Sequence, residues 1–143
     1  EHKILLSPGP GLPSENKELN YSIEKYHLTN NILGDCLGFQ AIGQFFGAEL
    51  HNLKKVRHGI QTQIEILNHD FLFKNVPNKI NIVHYHSWVI KNVPKQLKVT
   101  TLDFENYAMV RRHSDHQISG IQIHPESILT DYGKQILQNW IIS

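Results

Sequence analysis

Gly34-Asp-Cys36-Leu-Gly38 holds the only cysteine of this 143-residue chain between two glycines, directly after the short apolar run Asn31-Ile-Leu33. A nucleophile between two glycines is typical of a sharp turn from a strand into a helix, here with cysteine as the nucleophile. We therefore predict a strand at 31–33, a helix from Leu37, and an exposed sulfur in the turn between them. The partial positive charge of a helix N-terminus favours thiolate over thiol. A lone cysteine is also commonly a small buried hydrophobic residue, so this segment alone leaves both interpretations open.

The composition indicates one globular domain that spans residues 1–143. Hydrophobic residues make up 40% of the chain and charged residues 19%, which is enough apolar material for a core. The net charge of +1 argues against a polyanion-binding surface, so we expect no nucleic-acid partner. A single cysteine excludes an internal disulfide and fits a reducing compartment. Because no apolar run approaches the roughly 20 residues of a membrane span, and no signal peptide is recognisable, we predict a cytoplasmic protein with no membrane partner.

The order of apolar segments predicts an α/β architecture, with helices around a buried sheet. We predict strands at 4–6, 31–33, 59–66, 80–86, 98–101, 107–111 and 119–123. A first helix is expected from Ser14 to about Tyr26, and a second from Leu37 to a C-terminal glycine at Gly47. Thr130 is the expected cap of a last helix.

A second group of candidate catalytic residues lies at the end of the last predicted strand, in Gly120-Ile-Gln-Ile-His124-Pro-Glu126-Ser127. Pro125 restrains His124 to an extended backbone, and Glu126 can accept a hydrogen bond from one imidazole nitrogen. The other nitrogen is then free to take a proton from a thiol, as in a triad of nucleophile, base and orienting group. Taken alone, the segment also fits a strand-end histidine beside a solvated glutamate.

Main-chain donors for an oxyanion are available in the loop Ser7-Pro-Gly-Pro-Gly11. Because proline has no N–H group, Gly9 and Gly11 supply the loop's free donors, and neither has a side chain that would obstruct a substrate. Leu37 N–H, directly after the cysteine, is the second donor expected of a nucleophile turn. Without the other motifs, the same composition would describe an ordinary surface turn.

Four separated segments resemble the class I glutamine amidotransferases, in the right order along the chain. They are Leu-Leu-Ser-Pro-Gly-Pro-Gly-x-Pro-x-Glu (5–15), Gly-x-Cys-Leu-Gly-x-Gln-Ala-Ile-Gly (34–43), Tyr-His-Ser (85–87) and Gly-x-Gln-x-His-Pro-Glu-Ser-Ile-Leu (120–129). Within that class, the sequence is most similar to the glutaminase subunits of anthranilate synthase and aminodeoxychorismate synthase. The resemblance covers essentially the whole chain and implies a flavodoxin-like mixed sheet flanked by helices.

The resemblance implies a role for each candidate residue. Cys36 would attack the side-chain amide of L-glutamine, His124 would act as general base and then acid, and Glu126 would orient the imidazole. Gly9 and Leu37 would donate main-chain N–H groups to the oxyanion. The substrate-binding positions implied by the resemblance are Gly9, Pro10, Gly11, Gln40, Ser87 and Trp88. No metal or cofactor is expected.

The sequence also departs from the family's pattern. Phe39 stands where the family commonly has histidine, and Ile123 stands where it commonly has phenylalanine, so we expect altered packing near the site and unaltered chemistry. Family members have a strand and a helix ahead of the strand at Ile4, a unit of roughly 30 or more residues. We therefore expect the sequence to be N-terminally incomplete.

The leading hypothesis is a glutaminase that delivers ammonia to a chorismate-binding synthase subunit, component I, in a hetero-oligomer for tryptophan biosynthesis. Two alternatives stay open: the same glutaminase serving aminodeoxychorismate synthase in folate biosynthesis, and a non-catalytic binding protein on this fold.

Three histidine-containing segments remain outside the triad. The pairs His84/His86 and His113/His116 have ligand-like spacing, but neither has a cysteine partner or an acidic cluster, so we expect them to be separate structural histidines. His58-Gly59 is expected to turn the chain ahead of a strand, near the site or the partner surface.

Overall fold

The computed structural model describes residues 2–105 and 107–143, and its strands form one mixed seven-stranded sheet. The strands are β1 (Lys3–Leu6), β2 (Asn31–Asp35), β3 (Glu49–Ile66), β4 (Lys79–Lys91), β5 (Leu97–Leu102), β6 (Ala108–His113) and β7 (Ile118–Ile121). They lie in the order β1-β2-β7-β6-β5-β3-β4; β1, β2 and β7 are parallel, and the remaining pairs are antiparallel. The helices are α1 (Lys17–Tyr26), α2 (Leu37–Phe45) and α3 (Gly133–Ile142).

The core lies on both faces of the sheet. Ile32 and Leu33 are neighbours on β2, so their side chains point to opposite faces. Ile32 packs in a cluster with residues of α1 and α2, whereas Leu33 packs in a cluster that includes Ile136 and Trp140 of α3. The predicted α/β class, with a mixed flavodoxin-like sheet flanked by helices, is confirmed.

Two glycines allow α2 to pack directly on the strands from which it emerges. A Cβ at Gly34 would lie 2.6 Å from the backbone of Gly38, and a Cβ at Gly38 would lie 2.5 Å from the carbonyl oxygen of Leu6. Real Cβ atoms essentially never approach so closely. The spacing of the two glycines around Cys36 thus has a packing reason, because each one permits a close contact between the helix and the sheet.

Two predicted helix starts are wrong. Pro13–Glu15 form a 3₁₀ turn, and α1 begins only after Asn16, whose side chain accepts a hydrogen bond from Leu19 N–H at 3.0 Å. Thr130 does not cap α3, because its hydroxyl donates to the carbonyl of Ile123 at 2.8 Å. At Ser14 the competing structure is the 3₁₀ turn, and at Thr130 it is the hydrogen bond to Ile123.

The end of α2 and the start of α3 both depend on backbone conformations or close contacts that favour glycine. Gly47 follows α2 with φ +101°, as predicted for a residue that ends a helix. Tyr132 precedes α3 in the left-handed region, with φ 60°. The first residue of the helix is Gly133, and no larger residue fits there, because a Cβ would lie 2.0 Å from the carbonyl oxygen of Pro125. The His-Pro-Glu segment and the start of α3 are therefore packed backbone to backbone.

A long hairpin of β3 and β4 forms one wall of the site. The predicted strand at 59–66 is the second half of β3, and His58-Gly59 lies inside that strand and not ahead of it. The β3–β4 pairing shifts register between Asn52 and Arg57 and again between His58 and Ile60, and Gly59 has φ +68°. Such bulges bend a strand and re-aim its side chains. Here they direct residues 56–58 towards the candidate pocket.

None of the helices in the described ranges 2–105 and 107–143 has the length and apolar character that a membrane crossing requires.

Candidate active site

A pocket of about 320 Å³ brings together segments that are far apart in the sequence. Its predicted members come from the proline–glycine loop, the turn into α2, and β4: Gly9, Pro10, Gly11, Cys36, Gln40, Ser87 and Trp88. Leu12, Val56, Arg57, His58, Tyr85 and His86 complete the lining. All the positions predicted to bind substrate therefore lie around one cavity, together with the candidate nucleophile.

Cys36 occupies the strained turn that the sequence predicts. Its backbone has φ 53° and ψ −99°, which is unusual for a non-glycine residue, and its N–H donates to the carbonyl of Ile121 at 2.8 Å. The residue is only 7% exposed, so the prediction of an exposed sulfur is wrong, although Cys36 lines the pocket. Its Sγ accepts hydrogen bonds from Gln122 Nε2, at 3.2 Å, and from Leu37 N–H.

The sulfur is a thiol in this state. Burial, together with the negative charge of Asp35 when that group is ionised, raises the pKa of Cys36 to about 12. The hydrogen bonds from Gln122 and Leu37 act in the opposite direction and are outweighed. The predicted preference for thiolate is therefore wrong for the resting site, because desolvation exceeds the effect of the helix N-terminus. A base is required to remove the thiol proton.

His124 and Glu126 form the predicted pair. Glu126 Oε1 lies 2.7 Å from His124 Nδ1, while His124 Nε2 is shielded from solvent and has no partner among the described residues. The backbone of His124 has φ 48°, so the expected extended conformation before Pro125 is wrong. The imidazole packs edge-to-face against the pocket residue Tyr85, with ring centroids 5.3 Å apart. One nitrogen is thus held by the carboxylate and the other is free.

Asp35 is a site residue that sequence reasoning missed. It ends β2, is 4% exposed, and lies beside the His124–Glu126 pair. One carboxyl oxygen of Asp35, one ring nitrogen of His124 and one carboxyl oxygen of Glu126 lie within 4.8 Å of one another. Burial and contact with Glu126 raise the pKa of Asp35 to about 9, so this carboxyl is protonated near neutral pH. The sequence signal was available, because an acidic residue directly before Cys36 interrupts an apolar strand.

Two glutamines connect the pocket wall to the sulfur. Gln40 Nε2 donates to the carbonyl of Trp88 at 3.0 Å and to Gln122 Oε1 at 3.3 Å, and Gln122 in turn donates to Cys36 Sγ. Sequence reasoning assigned no role to Gln122, although it lies in the motif that contains His124. Its position two residues before His124, on the same strand end, was the signal that could have found it.

A chain of buried histidines supports the same backbone. His86 Nδ1 lies 3.1 Å from the carbonyl of Trp88, His84 Nδ1 lies 2.9 Å from His86 Nε2, and the Thr62 hydroxyl contacts His84 Nε2 at 2.5 Å. Burial lowers the pKa of His84 to about 3 and that of His86 to about 4, so both rings are neutral. These hydrogen bonds consequently hold the backbone of the Ser87–Trp88 segment in place. This pair had been expected to be separate histidines, yet the two rings are directly joined.

Arg57 is a further lining residue without a sequence-based prediction. Its side chain is 5% exposed and is paired with Asp103 and Glu105, and its guanidinium lies 4.8 Å from the ring centroid of Phe104. Arg57 follows two lysines on β3, which made it resemble a solvated residue in the sequence. Only its tertiary ion pairs reveal a buried cation at the edge of the pocket.

Comparison with known proteins agrees with this arrangement. The family model described as glutamine amidotransferase class-I matches residues 1–143. Anthranilate synthase component 2 of Pyropia yezoensis is 40% identical over 143 residues, covering 98% of this chain and 75% of the relative. Anthranilate synthase component 2 of Methanocaldococcus jannaschii is 39% identical over 152 residues, covering 99% of this chain and 75% of the relative. A crystal structure from Thermoplasma acidophilum, described as one of the subunits of GMP synthase, superposes with a TM-score of 0.86 at 26% identity, covering 96% of this chain and 69% of that one.

Proposed function

The chain belongs to the class I glutamine amidotransferases, and from that membership we propose that it is the glutaminase component of an anthranilate synthase. It hydrolyses L-glutamine to glutamate and ammonia, and residues 1–143 act as one amidotransferase domain. The observation that carries this proposal is the pocket in which Cys36, at a strained turn, meets the loop of Gly9 to Gly11 and the Ser87–Trp88 segment.

The proposed reaction begins with proton transfer from the Cys36 thiol to His124 Nε2. The sulfur attacks the side-chain carbonyl carbon of glutamine, and the protonated imidazole returns its proton to the departing nitrogen, which leaves as ammonia. Water, deprotonated by the same imidazole, then hydrolyses the thioester and regenerates the thiol. The raised pKa of Cys36 supports this order, because a buried thiol needs a base before it can react. The 2.7 Å contact between His124 Nδ1 and Glu126 supports the orienting role of the carboxylate.

The developing oxyanion is assigned to the main-chain N–H groups of Gly9 and Leu37, and the Leu37 N–H would leave Cys36 Sγ, to which it donates in the resting site. A Cβ built on Gly9 would lie 3.5 Å from Leu37 Cδ2, so the proline–glycine loop packs against the first residue of α2. The amino-acid end of the substrate is assigned to Pro10, Gly11 and Gln40 and to the Ser87–Trp88 backbone. The hydrogen bonds from Gln40 and His86 to the Trp88 carbonyl support that assignment, because they hold this backbone in place before substrate arrives.

The partner in this proposal is a chorismate-binding synthase subunit, component I, which receives the ammonia in a hetero-oligomer. The relatives' names support this proposal.

The test measures anthranilate formation by the natural full-length protein mixed with its synthase subunit, with either glutamine or ammonium as nitrogen donor. Cys36→Ala is expected to abolish glutamine-dependent synthesis and to leave ammonium-dependent synthesis unchanged. A diazoketone analogue of glutamine should label the tryptic peptide that contains Cys36, and Cys36→Ser should remove the label. Glutamine-dependent synthesis that persists in Cys36→Ala would refute the assignment of the nucleophile.

A further inference from the structure

Asp35 is a buried carboxyl group that the proposed reaction does not use. It stands at the end of β2, 4% exposed, directly before Cys36. Its Oδ1 is shielded from solvent and has no partner among the residues that the structure describes. A buried carboxylate without donors is costly, and buried polar groups are nearly always paired. An apolar residue at the end of this strand would need no explanation, whereas a buried carboxyl group does.

The neighbour of Asp35 is the carboxyl group of Glu126. One carboxyl oxygen of Asp35, one of Glu126 and one ring nitrogen of His124 lie within 4.8 Å of one another, which is close enough for the two carboxyl groups to share a proton. Two carboxylates in contact do not both ionise at neutral pH, so one of them keeps a proton. The Glu126 side chain is 48% exposed, whereas Asp35 is buried, so solvation assigns the charge to Glu126 and the proton to Asp35.

We propose that Asp35 is a positioning residue for the base: as a carboxylic acid, it donates a hydrogen bond to Glu126 and holds that carboxylate against His124 Nδ1. The inference rests on the proposed function, because it concerns the same triad. Asp35 does not line the pocket, and its main effect on the reaction passes through Glu126. Neutral Asp35 also spares the Cys36 thiolate an adjacent negative charge.

Ionisation of Asp35 should reverse both effects. The titratable groups that act on Asp35 within 2–105 and 107–143 are Glu126, which it contacts, and Cys36 and His124 beside it. Burial and Glu126 raise the pKa of Asp35 to about 9. Above that pH, two adjacent carboxylates repel each other, Glu126 is displaced from His124, and the charge of Asp35 opposes formation of the thiolate. Glutaminase activity should therefore decline on the alkaline side.

Two substitutions separate hydrogen-bond donation from charge. Asp35→Asn keeps a donor of nearly the same shape and cannot ionise, whereas Asp35→Val keeps the β-strand propensity and removes the donor. Both are assayed as glutamate release by the natural full-length protein in complex with its synthase subunit, between pH 6.5 and 10. We expect Asp35→Asn to retain kcat near neutral pH and to lose the alkaline decline. We expect Asp35→Val to lower kcat by roughly ten- to hundredfold with little change in KM, since misplacement by about 1 Å costs up to roughly 10²-fold.

A second measurement does not depend on turnover. Infrared difference spectra of the wild-type protein across pH 8–10 should show the loss of one protonated carboxyl band, and Asp35→Asn should not show it. An alkaline decline that persists in Asp35→Asn, equal kcat in the asparagine and valine variants, or the absence of the carboxyl band would each overturn the proposal. Activity in Cys36→Ala would instead refute the proposed nucleophile and leave the infrared result intact, so the two failures are distinguishable.

Discussion

Gly120 on β7 pairs with Gly34, next to the turn that carries Cys36, and packs against Phe39 of α2. A Cβ at this position would lie 2.4 Å from Phe39 Cδ2, whereas ordinary contacts begin near 3.4 Å. Alanine therefore requires β7 and α2 to separate by about 1 Å, or the ring of Phe39 to tilt in a space where it is only 2% exposed. Overpacking of this kind costs about 1–3 kcal/mol of unfolding free energy. Gly120 has no positive φ, so backbone strain does not contribute.

A double-mutant cycle isolates this contact. Phe39→Leu replaces the planar ring by a branched side chain that can rotate away, at a cost of about 1 kcal/mol by itself. In that background, the penalty of Gly120→Ala should fall by about 1 kcal/mol, which is a coupling typical of residues in contact. The measurement is the urea midpoint together with the m-value, which should stay constant. Because β7 leads to His124, Gly120→Ala should also lower kcat for glutamate release.

Gly34→Ala is the matched control for this cycle. The Cβ of that variant meets the backbone of Gly38 at 2.6 Å, and Phe39→Leu cannot relieve a backbone clash. The control should therefore remain destabilised in both backgrounds. If the Gly120 and Phe39 substitutions add to within about 0.5 kcal/mol, the two side chains are not in competition and the packing argument is refuted.

Three further predictions concern the polar groups around the pocket. Arg57→Met should destabilise the protein by about 3–5 kcal/mol, because the buried Asp103 carboxylate would lose its counter-ion and keep only the N–H groups of Glu105 and Tyr107 as donors; Asp103→Asn added to it should recover part of that loss at the urea midpoint, and no recovery would contradict the ion-pair account. Burial lowers the pKa of His84 to about 3 and that of His86 to about 4; the unfolded chain therefore binds these protons first, and each histidine should make stability fall by up to about 1.4 kcal/mol per pH unit as pH drops from about 6.5 towards 4. His86→Gln should remove about half of the combined slope, and an unchanged slope would exclude His86 as one of its sources. Gln122→Leu removes a donor to the sulfur and should slow iodoacetamide alkylation of Cys36 by about tenfold at pH 9; an unaltered rate would show that this hydrogen bond is inconsequential.

The parts of the structure that the sequence predicts are those set by local geometry. The turn around Cys36 has two glycines four residues apart, and Gly34 is required by a local contact, because a Cβ there would meet the backbone of Gly38. The pair of His124 and Glu126 is likewise local, because only Pro125 lies between them. The mixed, flavodoxin-like sheet and the convergence of the pocket segments were expected from the family resemblance, and not from periodicity.

The parts that the sequence missed depend on tertiary neighbours. Arg57 follows two lysines and therefore looks solvated in the sequence, but Asp103 and Glu105, which come directly after the neighbouring strand β5, pair with it in the fold. Thr130 is a residue type that commonly caps helices, but its hydroxyl donates to the carbonyl of Ile123 instead. The sulfur was expected to be a thiolate because the helix N-terminus is visible in the sequence, whereas the burial that outweighs it is not.

In the proposed mechanism the thiol proton passes from Cys36 to His124, and the two groups are held differently in the resting site. Cys36 Sγ is held by Gln122, and His124 Nε2 is buried without a partner among the described residues. An unpaired buried nitrogen costs about 1–3 kcal/mol, and that penalty disappears when the nitrogen receives the thiol proton. Glu126 keeps His124 Nδ1 occupied throughout, so the free nitrogen is the one that must accept. In the proposed mechanism, relief of this penalty at Nε2 therefore favours transfer of the thiol proton to that nitrogen.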